Sequence, residues 1–427
     1  MSKYITYLKC SRCSRTYTYD EKPLLCLNGD LGRLDIYYDL EALKEFYNRE
    51  YVSSKPLLSQ WKYFDLLPPR HEFNIVTLNE GATPLVKAVR LSEKLGLKNL
   101  WLKDETRNPT ASYKDRGMSV SVSVAKEFGF NKLVTASSGN AAAALAAYAA
   151  RAGMEVYAFV IEQAGYGKIA QLLFYGAKVV KVRGLGKEDP TVKMMRLTYE
   201  RFGFFPSPSF GPFNPYQIEG SKTISYEVIE QLGWNVPEWV FVPVGAASLL
   251  TGVWKGFEDY YSLGLINEKP RLFAVQSTGN PPFVRAFKEG QDPFNIRPWD
   301  KPHTIAWGLE DPYPWDGDAG LQALKSTRGH ADEVPDSLII EAMKLLARYE
   351  GIFAEPSGAA SLAGLLKAID DGIIDKSDEV VVLVTGHGLK DPDVVKEVVG
   401  DAPLINPDLR ELTDVMLKHY GVKLNSS

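Results

Sequence analysis

The decapeptide NPTASYKDRG, residues 108–117, sets Lys114 in a turn-like stretch beside Ser112, Tyr113, Asp115 and Arg116. Its plainest reading is a helix start. Asn108-Pro109 signals a turn, Thr110 and Ser112 are good N-caps, and the MSVSVSVA that follows can continue as helix. An amine there also has chemistry open to it, because a lysine held in a desolvated pocket serves as nucleophile and base. Other stretches carry comparable potential. TASSGNAAAALAAYAA puts Ser137, Ser138, Gly139 and Asn140 between a strand-like run and a helix, where they cap the helix or receive an anion or polarised oxygen. VPVGAASLLTGVWKGF repeats the arrangement with Gly245, Ala246, Ala247, Ser248 and Leu249, a small-residue turn whose backbone N–H groups can close on a phosphate. VVVLVTGHGLKDPD presents Thr385, whose hydroxyl can bond a ring nitrogen, and His387, which in a glycine-rich loop suits a structural role better than that of a base.

A lysine beside an aromatic, an amide-bearing helix start, a phosphate cradle and a strand-end hydroxyl are the parts needed to hold a phosphorylated pyridine aldehyde as a Schiff base. The conjugated ring then accepts electrons from carbanions while the protein supplies orientation and electrostatics. No GxGxxG occurs and no Lys-Ser/Thr follows the small-residue turn, which argues against dinucleotides and nucleoside triphosphates.

These residues need a scaffold that gathers strand ends. KLVTA (132–136), EVYAFV (155–160), AKVVKV (177–182), WVFVPV (239–244), LFAVQS (272–277) and VVVLVTG (380–386) are apolar on both faces, as strands covered by helices must be. Helical patterns alternate with them, including NAAAALAAYAARAG, closed by Gly153. The expected architecture is α/β with parallel-rich twisted sheets flanked by helices, and ligands in such sheets bind beyond the carboxyl ends of the strands.

At 427 residues the chain exceeds one ordinary domain, and a net charge of −4 offers no basic field for nucleic acid or anionic membrane. Small-molecule partners are expected. The N-terminal MSKYITYLKCSRC has no apolar run of signal-peptide length and no later run reaches the roughly 18 apolar residues of a membrane span, so a cytoplasmic protein is expected. Cys10-x-x-Cys13 followed by Cys26 looks like most of a zinc ribbon, but the LNGDLGRL after it offers no further cysteine or histidine. No metal is assigned, and a degenerate ribbon held by its own hairpins is expected.

The segments resemble the fold type II (tryptophan synthase beta-like) pyridoxal phosphate enzymes, and within them the threonine synthases. NPTASYKDRG looks like the lysine motif Asn-Pro-Thr-Gly-Ser-Phe-Lys-Asp-Arg-Gly, and NPYQIEGSKTISYEV (214–228) like Asn-Pro-x-Arg-x-Glu-Gly-x-Lys-Thr. TASSGNAAAALAAYAA, EGIFAEPSGAASLAGLLK and TGHGLKDPD are similar to three more signatures in the same order, between about residues 75 and 400. The cysteines and YYDLEAL resemble the ribbon-like extension of many members.

The resemblance implies pyridoxal 5′-phosphate bound to Lys114, which would also be the catalytic base. Tyr113 would pack by the ring, Asn140 would bond the 3′ oxygen, the Gly245–Leu249 backbone would hold the phosphate, and Thr385 would meet the pyridine nitrogen. The implied reaction converts O-phosphohomoserine and water to threonine and phosphate by γ-elimination and β-addition. Ser112, Ser137 and Ser138 would receive the substrate carboxylate, with Lys168 and Asn214 at its phosphate; Glu355 suits a structural or a functional role equally. A homodimer is implied. The expected division is a ribbon-like extension (1–69), a large cofactor domain (70–114 and 206–427) and a small mobile domain (115–205) that closes over substrate.

Departures from the family pattern bear on the substrate. Ala111 replaces the usual glycine before Ser-aromatic-Lys, Ala246-Ala247-Ser248 replaces a glycine- and asparagine-rich cradle, and Gln217 stands where an arginine often meets the substrate phosphate. Lys168, Lys222 or a residue the sequence does not place would have to compensate for that guanidinium. Rival expectations are a serine or threonine dehydratase, or an O-phosphoserine-using β-replacement synthase, on the same scaffold. A catalytically silent binding protein is a further alternative, which the intact Lys114, Asn140 and Thr385 oppose.

Overall fold

A computed structural model describes residues 4–184 and 189–424, apart from the Lys168 side chain. The chain opens with β1 (Ile5–Cys10), β2 (Thr16–Tyr17) and β3 (Leu34–Tyr38), paired antiparallel in the order β2-β1-β3. Next come β4 (Leu85–Lys87) and β5 (Asn99–Asp104), then β6 (Lys132–Thr135), β7 (Glu155–Ile161), β8 (Lys178–Val182) and β9 (Phe205–Pro206). The last group is β10 (Trp239–Pro243), β11 (Arg271–Ser277), β12 (His330–Val334) and β13 (Glu379–Val384). They build a six-stranded sheet, β12-β11-β10-β13-β5-β4, parallel except for β4, and a parallel four-stranded sheet, β8-β7-β6-β9. Met1–Asp391 form one compact unit and Pro392–Ser427 another.

Central strands read as the sequence suggests. All residues of β10 are buried, as is every residue of β13 after Glu379, because helices cover both faces. AKVVKV departs from that expectation: β8 lies at the sheet edge and exposes Lys178, Val180 and Lys181. An edge strand needs no second apolar cover, and lysines there discourage pairing with another chain. Among the described residues no helix is long and apolar enough to cross a membrane.

The helix Lys114–Glu127 is buried along most of its length despite three serines in alternate positions. Burial is tolerable because each hydroxyl has a partner: Ser119 Oγ donates to Val76 O at 2.7 Å, Ser123 Oγ to Ser119 O at 2.7 Å, and Ser121 Oγ meets Ser207 Oγ at 3.0 Å. The alanine-rich helix Asn140–Ala152 packs beside it and ends at left-handed Gly153, as its composition suggests.

Candidate active site

Lys114 is positioned by a loop tied down at both ends. Asn108 Nδ2 donates to Glu105 O (2.9 Å) and Oε2 (2.8 Å), while its Oδ1 accepts from Gly81 N–H (2.9 Å). Thr110 donates from N–H and Oγ1 to Asp115. Burial pushes the Asp115 carboxyl up to about 7, against the pull of those bonds. Two residues past the lysine, fully buried Arg116 donates to Glu105, Glu227, Thr83 and Thr223, and Lys103 joins Glu227 at 2.7 Å. Burial alone would raise the Glu227 carboxyl, but Arg116 and Lys103 outweigh it and hold it below the usual range.

The same loop is stitched to the end of β13. Tyr113 N–H donates to Thr385 O at 3.0 Å, His387 N–H donates to Ala111 O at 3.0 Å, and Ser112 bridges Gly386. A cavity of about 500 Å³ opens there, between the carboxyl ends of β6, β10 and β13. Tyr113, Lys114, Ser137, Ser138, Asn140, Gly245–Leu249, Glu355 and Thr385 all line it. Lys114 Nζ lies 4.8 Å from the Tyr113 ring centroid. Asn140 Nδ2 donates to Glu355 Oε1 at 2.8 Å, an approach open only because Gly386 carries no side chain: a Cβ there would lie 2.3 Å from that oxygen.

Ser112 and Asn214 do not line the cavity. Ser112 is fully buried away from it, its hydroxyl without a hydrogen-bond partner among the described residues. Asn214 is also buried outside it: Nδ2 donates to Ser121 Oγ (2.8 Å) and Pro206 O (3.0 Å), and Oδ1 accepts from Tyr216 N–H (3.2 Å). Its substrate role is therefore corrected to a structural one. Lys222 cannot replace the arginine, since it is buried between Glu219 (2.8 Å) and Asp259 (2.9 Å). Gln217 packs against the Lys114 helix, where a Cβ at Gly117 would come within 2.7 Å of its carbonyl oxygen, so position 217 does not face the cavity. His387 caps its own turn, Nδ1 accepting from Leu389 N–H at 3.1 Å. The Lys168 side chain lies outside the described residues.

Among the charged groups that sequence reasoning passed over, Lys390 and Asp311 line the cavity. Lys390, inside the quoted TGHGLKDPD, donates to Thr110 O at 3.1 Å and Gln171 Oε1 at 2.5 Å. Burial lowers its pKa, opposed by Glu355 and Asp115. Asp311 follows the short helical turn Trp307–Leu309, and nothing in its neighbourhood in the chain announces it. Burial pushes its carboxyl up to about 6, against the Lys114 charge and a hydrogen bond from the Ala246 backbone. An anion in the cradle thus competes with ionised Asp311 for the Ala246 N–H.

The cradle fits a phosphate. It sits at the start of the helix Ser248–Ser262, whose N-cap Ala247 makes no side-chain capping bond, so the positive helix end is open to an anion. A Cβ on Gly245 would lie 2.8 Å from Gly308 O and 2.9 Å from Asp311 Oδ2, so the wall is close around it. With an amine, an amide and a strand-end hydroxyl on one cavity of this size, the residues present suit pyridoxal phosphate together with an amino acid.

Fold and site define a pyridoxal-phosphate-dependent enzyme, and residues 76–386 match that family. Solved structures agree on the fold: a fungal L-serine ammonia-lyase from Rhizomucor miehei (TM-score 0.65, 25% identity, covering 74% of this chain and 97% of that one) and Escherichia coli diaminopropionate ammonia lyase (TM-score 0.66, 20% identity, 81% and 93%). Curated relatives narrow it further. Threonine synthase of Methanocaldococcus jannaschii is 40% identical over 96% of this chain and 98% of its own, and that of Methanosarcina acetivorans is 38% identical over the same shares. The Synechocystis enzyme of that name is 38% identical over 83% and 89%. The chain belongs to the threonine synthase family.

Proposed function

We propose that the protein converts O-phospho-L-homoserine and water to L-threonine and phosphate, losing phosphate from the γ carbon and adding water at the β carbon. The observation that carries it is the convergence of Lys114, Asn140, Thr385 and the Gly245–Leu249 backbone on one cavity in a chain so similar to threonine synthases.

In this reading Lys114 Nζ would hold the cofactor aldehyde, the Gly245–Leu249 N–H groups its phosphate, Asn140 its 3′ oxygen and Thr385 its ring nitrogen, and Tyr113 would pack by the ring. When bound, pyridoxal phosphate supplies a conjugated electron sink for charge left at carbon. The Lys114 amine would take the α proton of the substrate and then move protons at the β and γ carbons. Ser137 and Ser138, at the start of the helix Asn140–Ala152, receive the substrate carboxylate where the helix dipole is positive. Glu355 fixes the Asn140 amide. Among the described residues Lys390 lines the cavity, and it is the cation taken to meet the substrate phosphate in place of the arginine absent at 217. Thr385 is a neutral hydroxyl, so it does not favour a protonated ring as a carboxylate would.

The segment 115–205, which contains β6, β7 and β8, is taken as the small domain that closes on substrate and excludes water. The working unit is proposed to be a cytoplasmic homodimer.

The test is phosphate release from O-phosphohomoserine by the cofactor-loaded protein, with O-phosphoserine, serine and threonine in parallel and Lys114→Ala as control. Threonine and phosphate forming together, only with Lys114 present, support the proposal. Turnover of serine or threonine with O-phosphohomoserine inert would transfer the site to a dehydratase.

A further inference from the structure

We propose that Cys10, Cys13, Cys26 and Asp30 form a tetrahedral site for a structural zinc ion. The ribbon lacks a fourth ligand only if cysteine and histidine are counted. Folding supplies a carboxylate instead, four residues after Cys26.

The ligand atoms of these four residues all lie within 4.8 Å of one another. With Zn–S near 2.3 Å and Zn–O near 2.0 Å, a tetrahedron has S–S edges of about 3.8 Å and S–O edges of about 3.5 Å. Cys13 Sγ and Cys26 Sγ are 3.5 Å apart, and Cys10 Sγ is 3.6 Å from each Asp30 oxygen. Two opposite edges of the tetrahedron are therefore within about 0.3 Å of the required length.

Surrounding groups orient the sulfurs. Asn28 Nδ2 donates to Cys13 Sγ at 3.2 Å, and the Tyr17 hydroxyl donates to Cys26 Sγ at 3.4 Å while accepting from Leu27 N–H at 2.9 Å. Arg15 Nη1 donates to Asn28 Oδ1 at 3.1 Å and so orients that amide. Gly32 N–H donates to Asp30 Oδ1 at 2.9 Å, and a Cβ on Gly32 would lie 2.3 Å from Cys10 Sγ. Cys10 and Cys26 are buried whereas Cys13 is exposed, which leaves an entry path on that side. Three sulfur ligands and one carboxylate in a tetrahedron select zinc over calcium or magnesium, which prefer oxygen in larger shells.

The site has a structural task. Strands as short as β2 and β3 carry little core of their own, and a metal closes the turn after β1 onto the loop 26–30. Arg33, next to Gly32, donates to Asp35 (2.9 Å) and Asp318 (2.7 Å) and lies 3.6 Å from Asp316. Asp316 accepts from Ser248 Oγ at 2.6 Å, and Ser248 belongs to the phosphate cradle. The ion thereby fixes the segment that supports the cradle from behind.

The experiment uses the full chain with its cofactor. Metal content and free thiols are measured, then zinc is exchanged for cobalt(II), whose spectrum reports thiolate ligands and tetrahedral geometry. One zinc per chain is expected, with thiolate-to-cobalt charge transfer that grows in Asp30→Cys and is lost in Cys13→Ser. Chelation is expected to loosen the cofactor, read as visible absorbance lost on dialysis. Three reactive thiols with no stoichiometric metal after zinc addition, or a Cys13–Cys26 disulfide, would overturn the site. A cobalt spectrum unchanged by Asp30→Cys would remove Asp30 from it even if Cys13→Ser failed to fold, and full cofactor retention after chelation would sink the link through Arg33.

Discussion

Lys114 and Arg116 stand two residues apart in one helix, and their surroundings are opposite in kind. Arg116 is sealed, its guanidinium shared between Glu105 and Glu227 and topped up by two threonine hydroxyls. Lys114 opens on a cavity where Asp311 and Lys390 are held away from their ordinary titration by burial. One region satisfies every charge and gains rigidity. The other leaves charge and donors for a ligand to complete. A saturated network so close in sequence is what lets the unsaturated one keep its geometry.

Removing each residue should separate the two roles. Lys114→Ala is expected to lower phosphate release by about 10³-fold or more, since base and covalent anchor go together, while urea unfolding of the cofactor-free protein hardly moves. Arg116→Ala is expected to cost about 3–5 kcal/mol in the same unfolding experiment, because it strands two buried carboxylates. Comparable stability losses in the two variants would abolish the distinction.

Within the cavity, Lys390→Met should raise KM for O-phosphohomoserine about 10- to 100-fold with a smaller change in kcat, the range of a lost charged hydrogen bond. Equal KM values would place the substrate phosphate elsewhere. Asp311 gives a pH signature. Its native carboxyl holds a proton up to about 6 that the unfolded chain loses near 4, so stability should fall as pH rises through that window and level off above it. Asp311→Asn in cofactor-free protein should flatten that part of the profile; thermal melts across the window provide the check. The smallest effect concerns backbone strain. Ala111 and Ala247 both adopt positive φ, 67° and 69°, so Ala111→Gly should stabilise the protein by up to about 1 kcal/mol in denaturant titration.

Legibility followed the chain's own continuity. Ser137, Asn140, Gly245–Leu249 and Thr385 follow directly on apolar strands, and a parallel sheet carries such loops to one edge whatever the details of packing. The same logic failed for Asn214 and Gln217, which lie in a motif but not at a strand end. Whether their side chains meet solvent or the neighbouring helix depends on how Gln217–Ser221 seats against Lys114–Glu127. AKVVKV was legible as a strand, but its place at the sheet edge was not, because edge and centre differ by neighbours that lie far away in sequence.

Sequence by itself determined the α/β scaffold, the family, the lysine and the loops that converge on it, since periodicity and strand-end chemistry are local properties of the chain. Tertiary structure alone decided which charges remain available. Packing closed Lys222 and Asn214 into the interior, turned Asp311 and Lys390 into the cavity, and brought Asp30 beside three cysteines. The physical reason is that a charged or polar side chain is defined by what surrounds it, and those surroundings come from residues that only folding makes neighbours.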